Sequence, residues 1–524
     1  MRDYRSKPTP DASITEAALD AMDAAELRSL VRDTLPWFDD ILRARFTNEL
    51  VDRAARNLTG WVPESPDTAT VREIEAFVET AKRVGYADPM EVDAYLRLGS
   101  NAFLAKNYPA AFRIFRSLLM AVGHGHVDMG QEELIDDVLG VDSATCAAQY
   151  VLSMYMTADP KLRGKAVLSA IDEMHGIENF WRPLHTLEQV AVEPLPDFDD
   201  FVEQWRALVE ERAAKPNDRD WDRDVDRWLR EAVQRTEGPD GLAKVARASR
   251  RADDLRAWCD AVFKTGDWAE ALAAYAEAAE LVSDKEYARG SFLDGAALAA
   301  QELRRGDLPD MLERAWLKAP TMTRLCRWLG SSVTRDVVQG RVDDALDACP
   351  KAAHRQRALL LVLRGEITAA AKLLADAPGL GWSSGEHPGH LLFPVFTSLL
   401  SQRELQKDLP RDYDDLGLSS GDNTPKLTTP TLRHLMSLAV PPRPDANARA
   451  SVLKAMRAAA EKRVSGVTEN KRRRHYGHAA SLVACCAELD RSANTTTWVM
   501  SIRSEYRRYP ALQGELDSHL AAVR

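Results

Sequence analysis

Apolar residues recur along this chain at intervals of three and four, the period that lines one face of an α-helix. The two-residue alternation of a strand holds over no useful length, so the fold class predicted is all-α. Leu27, Leu30 and Val31 form such a stripe behind Asp23-Ala-Ala-Glu26, a capping-box start. Trp37, Phe38, Ile41, Leu42, Phe46 and Leu50 predict a second helix over 35–54, and Pro63 and Pro66 break the pattern. Residues 71–84 read as a helix closed by Gly85, and Asp88-Pro89 offers a cap and a first-turn proline for the next. Asp159-Pro160 repeats that device. Further helices are expected near 131–138, 142–157, 160–173 and 183–192, and Phe198, Phe201, Val202, Trp205, Leu208 and Val209 mark one face of another.

The placement of small residues predicts how helices pair. In 254–281, Ala271 and Ala278 sit where two helices must touch, Trp258 and Tyr275 fill the gaps, and Gly266-Asp267-Trp268 makes the turn. That is the layout of a tetratricopeptide-type (TPR-like) hairpin. Gly99, Ala111 and Phe115 around Lys106-Asn107-Tyr108 repeat it. The glycine turn recurs at Gly306, Gly340 and Gly365, at intervals of 40, 34 and 25 residues, around the roughly 34-residue period of such repeats. One hairpin cannot bury its apolar face alone, so neighbours of the same kind are expected. The architecture predicted is a degenerate TPR-like α-solenoid of helical hairpins.

Five stretches follow: N-terminal helices over 1–61, helical repeats over 66–213, TPR-like repeats over 225–405, an exposed loop over 406–430, and a basic C-terminal helical block over 431–524. The charged segment 213–224 is the candidate boundary between the two repeat regions. Within 406–430, Asp408, Asp412, Asp414 and Asp415 crowd the first half, and Gly417, Gly421, Pro425 and Pro430 punctuate the rest, with no apolar period.

With 524 residues, 45% of them apolar and 28% charged, the chain can bury a large core and remain soluble. No apolar run reaches membrane-spanning length, and the N-terminus has no apolar signal-peptide core, so no membrane is expected and the cytoplasm is the simplest location. The six cysteines are scattered without a Cys-x-x-Cys pair, which favours reduced thiols over disulfides or zinc.

Candidate chemistry is sparse. Asp220, Asp222, Asp224 and Glu231 imitate calcium-loop spacing, but Val225 occupies the position where such a loop needs glycine. His124 with His126, and His387 with His390, lack a carboxylate or thiol at helix-fixed spacing beside them. Phosphate-loop and zincin motifs are absent. No catalytic residue, metal or cofactor is therefore assigned. Two sets of residues remain as partner-binding candidates. Arg256, Asp260, Phe263 and Lys264 are the outward positions of the first helix in the 254–281 hairpin, a mixed-charge surface that suits a protein or peptide partner. Lys471, Arg472, Arg473 and Arg474 form the sharpest charge run. The 79 residues from Ala446 carry 14 Lys and Arg against 7 Asp and Glu, in a chain whose net charge is −11. Such a run is most often a solvated helix face. It could also hold an acidic partner or the acidic body of this chain, and nucleic acid is disfavoured by the overall negative charge.

The Ala25-Glu-Leu-Arg-Ser-Leu-Val31 stretch, Gly266-Asp-Trp-Ala-Glu-Ala271, Ala315-Trp316 before Ala-Pro-Thr-Met-Thr-Arg-Leu325, and Asn470-Lys-Arg-Arg-Arg-His-Tyr-Gly477 together resemble the TPR-like helical region of bacterial SWIM zinc-finger proteins. The zinc motif of that family, Cys-x-Cys followed by Cys-x-His, is absent, so its metal chemistry does not transfer. The resemblance implies a bacterial interaction scaffold. Two other functions stay open at this point. One is a regulatory subunit or proteolytic target in a bacterial stress or defence pathway, a CRISPR-associated one included, cut or docked at 406–430. The other is an enzyme whose site is assembled across repeats.

Overall fold

Side-chain caps start many of the helices, as the sequence pattern requires. Asp23 accepts from the backbone N–H of Ala25 and Glu26 at 2.7 and 2.8 Å, and Glu26 accepts from the N–H of Asp23 at 2.9 Å, closing a complete capping box. The computed structural model describes residues 12–57, 60–131, 135–215, 222–283, 288–332, 334–401, 426–439 and 444–521. Among these the chain is all-α, and the only β-type pairing is an isolated bridge between Tyr86 and Asp128. The chain divides into two units, residues 1–241 and 242–524.

The first unit begins with α1 (Ala12–Ala21), α2 (Ala24–Thr34) and α3 (Asp40–Arg56). The helix expected over 35–54 is in fact interrupted. Pro36 cannot continue a helix, a 3-10 turn forms over Leu35–Trp37, and Asp39 caps a fresh start by accepting from Leu42 N–H at 2.8 Å. α2 and α3 bury no residue, and Leu30, Trp37 and Leu42 face solvent. There follow α4 (Thr68–Val84), α5 (Pro89–Leu104), α6 (Tyr108–Gly123), α7 (Ser143–Thr157), α8 (Arg163–Glu173), α9 (Pro183–Val190) and α10 (Phe198–Ala213). Gly85 ends α4 in the left-handed conformation, and Asp88 with Pro89 starts α5.

Each of α4 to α10 packs on a neighbour one or two places along the chain, around a core that includes Ile74, Phe103, Phe115, Tyr150 and Trp205. Gly99 is needed where α5 meets α6: a Cβ there would lie 2.8 Å from Cε1 of Phe115. Asp159 does not cap a helix. It folds a turn that binds Lys161 N–H at 2.9 Å, and α8 begins only at Arg163. The expected helix near 131–138 is a short 3-10 turn over Ile135–Asp137 in its described part. α11 spans Asp224–Ser249 with a break at Gly238, whose φ of 62° and ψ of −149° precede Pro239. The ends of the charged 213–224 stretch that are described belong to the first unit.

The second unit continues with α12 (Ala252–Thr265), α13 (Trp268–Leu281), α14 (Ala288–Glu302), α15 (Leu308–Lys318), α16 (Met322–Leu329), α17 (Arg335–Ala348), α18 (His354–Arg364) and α19 (Ile367–Asp376). Then come α20 (Gly389–Ser401), α21 (Leu432–Ala439), α22 (Ala446–Glu469), α23 (Tyr476–Leu489), α24 (Ala493–Glu505) and α25 (Pro510–Ala521). From α12 to α20 successive helices pack in turn, while α21 packs on α16 to α18, α22 on α19 and α25 on α23, and a large core that includes Trp316, Leu359 and Phe396 runs from α14 to α25. Gly266 and Gly365 do end helices with φ near 80°. Gly306 lies in a turn, but the left-handed residue there is Arg304.

Gly340 makes no turn at all. It sits in the middle of α17, exposed, because Val338, Val342 and Ala345 keep one buried helical stripe through it.

The loop expected over 406–430 lies mostly outside the described residues. Of its last five residues, Lys426, Thr428 and Thr429 are exposed, but Leu427 is not. Leu427 is only 6% exposed, Gln301 bonds Lys426 O and Thr428 N–H at 3.1 and 2.8 Å, and Arg327 donates to Thr429 Oγ1 at 2.9 Å. One leucine packed into the core of the unit fastens a segment whose polar composition predicts solvent.

Candidate functional site

On α12, positions 256, 260 and 264 are one turn apart and form one stripe. Arg256 pairs with Asp253 at 3.0 Å and Lys264 is exposed, so both lie at the surface as expected. Asp260 is half-buried. Burial pushes its carboxyl up to about 6, against the opposing pull of Lys264 and Arg256. Phe263 does not face outward. It packs edge-to-face on Trp268 with ring centres 5.2 Å apart and against the core of the unit. The reason is local: the turn at Gly266 folds α13 back so that Trp268 covers the ring.

Lys471 to Arg474 form the α22–α23 turn, and all four are exposed. α22 ends in a Schellman-type turn. Lys471 takes the left-handed conformation usually given to glycine (φ 51°), and Arg472 N–H reaches back to Val467 O at 2.8 Å. A 3-10 turn over Arg473–His475 then leads into α23. No hydrogen bond or ion pair joins this basic turn to the α12 stripe.

Beside the turn lies a residue that the charge run does not announce. Arg463 falls on the buried stripe of α22 between Ala459, Ala460, Val464 and Val467, and is 4% exposed. Its Nη1 donates to Gly379 O at 3.2 Å, and its Nε is buried without a partner. Burial and the Arg472 charge both pull its pKa down. The Gly379 loop lies hard against α22, since a Cβ on Gly379 would meet Lys462 O at 1.8 Å. Next to it, Trp382 stacks on His387 at 4.3 Å and meets His390 and His478 edge-on at 5.3 and 4.8 Å. His387 accepts from Gly389 N–H through Nδ1 at 3.1 Å, and burial, with His390 next in weight, holds it down to about 4. Burial likewise lowers His390, so both imidazoles are held toward their neutral forms. The one sequence signal for Arg463 was a charged residue at a stripe position.

The first unit contains a cavity of about 980 Å³ between α3, α5, α7 and α9. Gln149, 2% exposed, accepts from Ser100 Oγ at 2.8 Å, and Arg97 pairs with Asp93 at 2.5 Å on its wall. Burial raises the Glu178 carboxyl, with Asp142 adding to the effect. Burial likewise pushes the Cys146 thiol up, which makes it a poor nucleophile.

Of the calcium-like carboxylates, Asp220 lies outside the described residues and the other three are spent elsewhere. Asp222 pairs with Arg230 at 2.6 Å, Asp224 pairs with Arg227, and Glu231 accepts from Leu184 and His185 N–H at 3.1 and 2.9 Å at the start of α9. Among the described residues no group of three or more His, Cys, Asp or Glu side chains could hold a metal, and the six cysteines are free thiols. Among the described residues no helix is long and apolar enough to cross a membrane. No protein-family model and no curated protein matches this chain.

Proposed function

We propose that the chain is a non-catalytic interaction scaffold, built as a degenerate TPR-like α-solenoid, that takes a protein or peptide partner. The observation that carries this reading is a recurring hairpin. Left-handed residues at Lys106, Gly266, Arg304, Gly365 and Lys471 each reverse the chain between helices that pack on their sequence neighbours. Arrays of this kind offer long helix faces for a partner. The Arg256–Asp260–Lys264 stripe supplies charges of both signs on such a face, which favours a polar peptide surface. A bacterial host is what the SWIM-like resemblance implies.

The test is crosslinking of the full chain to partners in lysate of its native host, read by mass spectrometry. The expected result is a partner whose crosslinks concentrate on α12 or on the α22–α23 turn and are lost in the Arg256→Glu, Lys264→Glu double variant or the Arg472→Gln, Arg474→Gln double variant. A partner indifferent to both variants, or turnover of a substrate by the purified chain, would refute the reading.

A further inference from the structure

A buried guanidinium normally has a carboxylate or a full set of carbonyl acceptors, because desolvating an unpaired charge is expensive. Arg463 has neither. Of its five N–H groups, one Nη1 hydrogen is bonded, to Gly379 O, and no carboxylate among the described residues pairs with it. The charges that act on it and on its neighbours are of one sign. Arg472 bears on Arg463, while Arg463, Arg474 and Arg472 all bear on His475. Arg474 Nε donates to His475 Nε2 at 3.2 Å, which leaves the rest of its fork open. Of the acids on α22, Glu461 accepts from Trp498 Nε1 and Glu469 accepts from Ser465 Oγ at 2.6 Å, and neither pairs with Arg463. Positive charge thus gathers about the exposed turn 471–474, and Arg463, about two helical turns before Lys471 on α22, is held by its burial and its bond to Gly379 O.

We propose that the α22–α23 turn is an anion-recognition site in which Arg463, Arg472 and Arg474 take a phosphate monoester carried by the partner protein. The proposal rests on the scaffold reading and names the chemistry of one of its contacts. Guanidinium forks match a tetrahedral oxyanion, and a dianion neutralises more of this convergent charge than one carboxylate can. Nucleic acid fits less well. It needs a positive field spread over many phosphates, and aromatic faces for unpaired bases to stack on. Here the cations gather at one turn of an acidic chain, and Trp382 and Tyr476 are buried.

The experiment is calorimetric titration of the full chain at fixed ionic strength with three probes: inorganic phosphate, a phosphoserine peptide pool of random flanking sequence, and the same pool without phosphate. One site per chain should bind phosphate and the phosphorylated pool but not the unphosphorylated one. Arg463→Met keeps the apolar stem and removes the charge. It should weaken both ligands about tenfold or more, while the melting temperature stays level or rises, which a structural role for Arg463 would not allow. Arg472→Gln, on the surface, should weaken binding without any risk to folding. No saturable phosphate heat, or unchanged binding in both variants, would overturn the site. Binding of inorganic phosphate without the phosphopeptides would overturn its assignment to a partner. Tighter binding of a single-stranded RNA, lost in the same variants, would overturn the ligand class. A partner still captured after phosphatase treatment would sink this inference and leave the scaffold reading standing.

Discussion

Arg324 and Asp294 make the sharpest test of how the second unit holds together. They sit on α16 and α14, 2% and 1% exposed, with Arg324 Nε 2.9 Å and Nη2 2.7 Å from Asp294 Oδ2. Arg324 Nη1 also donates to Ala319 O at 2.9 Å, and Arg327 Nη1 lies 3.6 Å from Asp294 Oδ1. The guanidinium lies directly over Gly290, one turn before Asp294, where a Cβ would come within 2.6 Å of its carbon and both terminal nitrogens. Asp294→Asn keeps the shape and removes the negative charge, leaving a buried guanidinium beside a second cation. Breaking a buried pair in this way costs about 3–5 kcal/mol. In a unit of this size that lowers the melting temperature by on the order of 10 °C. Gly290→Ala should act in the same direction without touching a charge, because backbone-fixed Cβ and buried guanidinium cannot share the space. Replacing both partners by apolar residues, Asp294→Leu with Arg324→Met, should cost far less than Asp294→Asn alone. Urea unfolding of the three variants decides it. If Asp294→Asn shifts stability by less than about 1 kcal/mol, the low end of what an unmet buried group costs, the pair is not buried as described and the argument fails.

Two glycines with the same sequence context should respond in opposite directions. Gly340→Ala, in an exposed helix interior with open space around its Cβ, should stabilise by about 0.5–1 kcal/mol, whereas Gly266→Ala, at φ 78°, should destabilise by about 1 kcal/mol; equal signs in denaturant melts would refute the placement of Gly340 inside α17. The Asp260 carboxyl is pushed above its ordinary 3.8 to about 6, so its protonated form is the one favoured by folding. Its contribution is fully present below 3.8 and is lost as pH rises through about 6. Asp260→Asn should therefore raise the urea midpoint at pH 8 and leave it unchanged near pH 3.5; a pH-independent difference would contradict the burial of this carboxyl. Leu427→Ala should cost about 2–4 kcal/mol, as truncation of a buried leucine does, and a null effect in thermal melts would return residues 426–430 to the exposed loop that composition predicts.

Helix type and several caps were legible because they depend on neighbours in sequence. Asp23 with Glu26, Asp88 with Pro89, and Gly85 in its left-handed cap are all local devices. The close approach of α5 and α6 was legible too, since Gly99 is small for a reason that the Ala111–Phe115 spacing displays. The failures share one cause. Gly340 carries the same local signal as Gly266, and only the buried stripe through Val338 and Val342 decides that one is helical and the other a turn. Asp159-Pro160 fails likewise, with the turn completed by Lys161 before the helix begins. Leu427 was hidden by its polar surroundings, because a single anchor adds no periodicity. Phe263 was placed outward by helical phase, but the residue that covers it, Trp268, comes after the turn and reaches back. In each case the deciding contact is with a residue that the local pattern does not include.

The candidate sites divide along the same line. Four exposed cations in a row are visible in any sequence, but such a row is commonly a solvated face. What changes its meaning is Arg463, and the comparison that gives it weight lies in the same unit. Arg324 and Arg463 are buried to nearly the same degree on stripes that are otherwise apolar. Arg324 reaches Asp294, with Arg327 close by, so its charge has a counter-ion within the chain. Arg463 meets one carbonyl and the repulsion of Arg472. If both arginines served only to fasten helices, both would be expected to carry a counter-charge from the protein, since an unpaired buried cation weakens the fold that it is meant to hold. A charge left without a counter-ion inside the chain, at the edge of an exposed basic turn, is stabilised only when an anion arrives from outside. That asymmetry predicts opposite outcomes for one substitution type: Arg324→Met should destabilise the unit by leaving Asp294 unmet, while Arg463→Met should not.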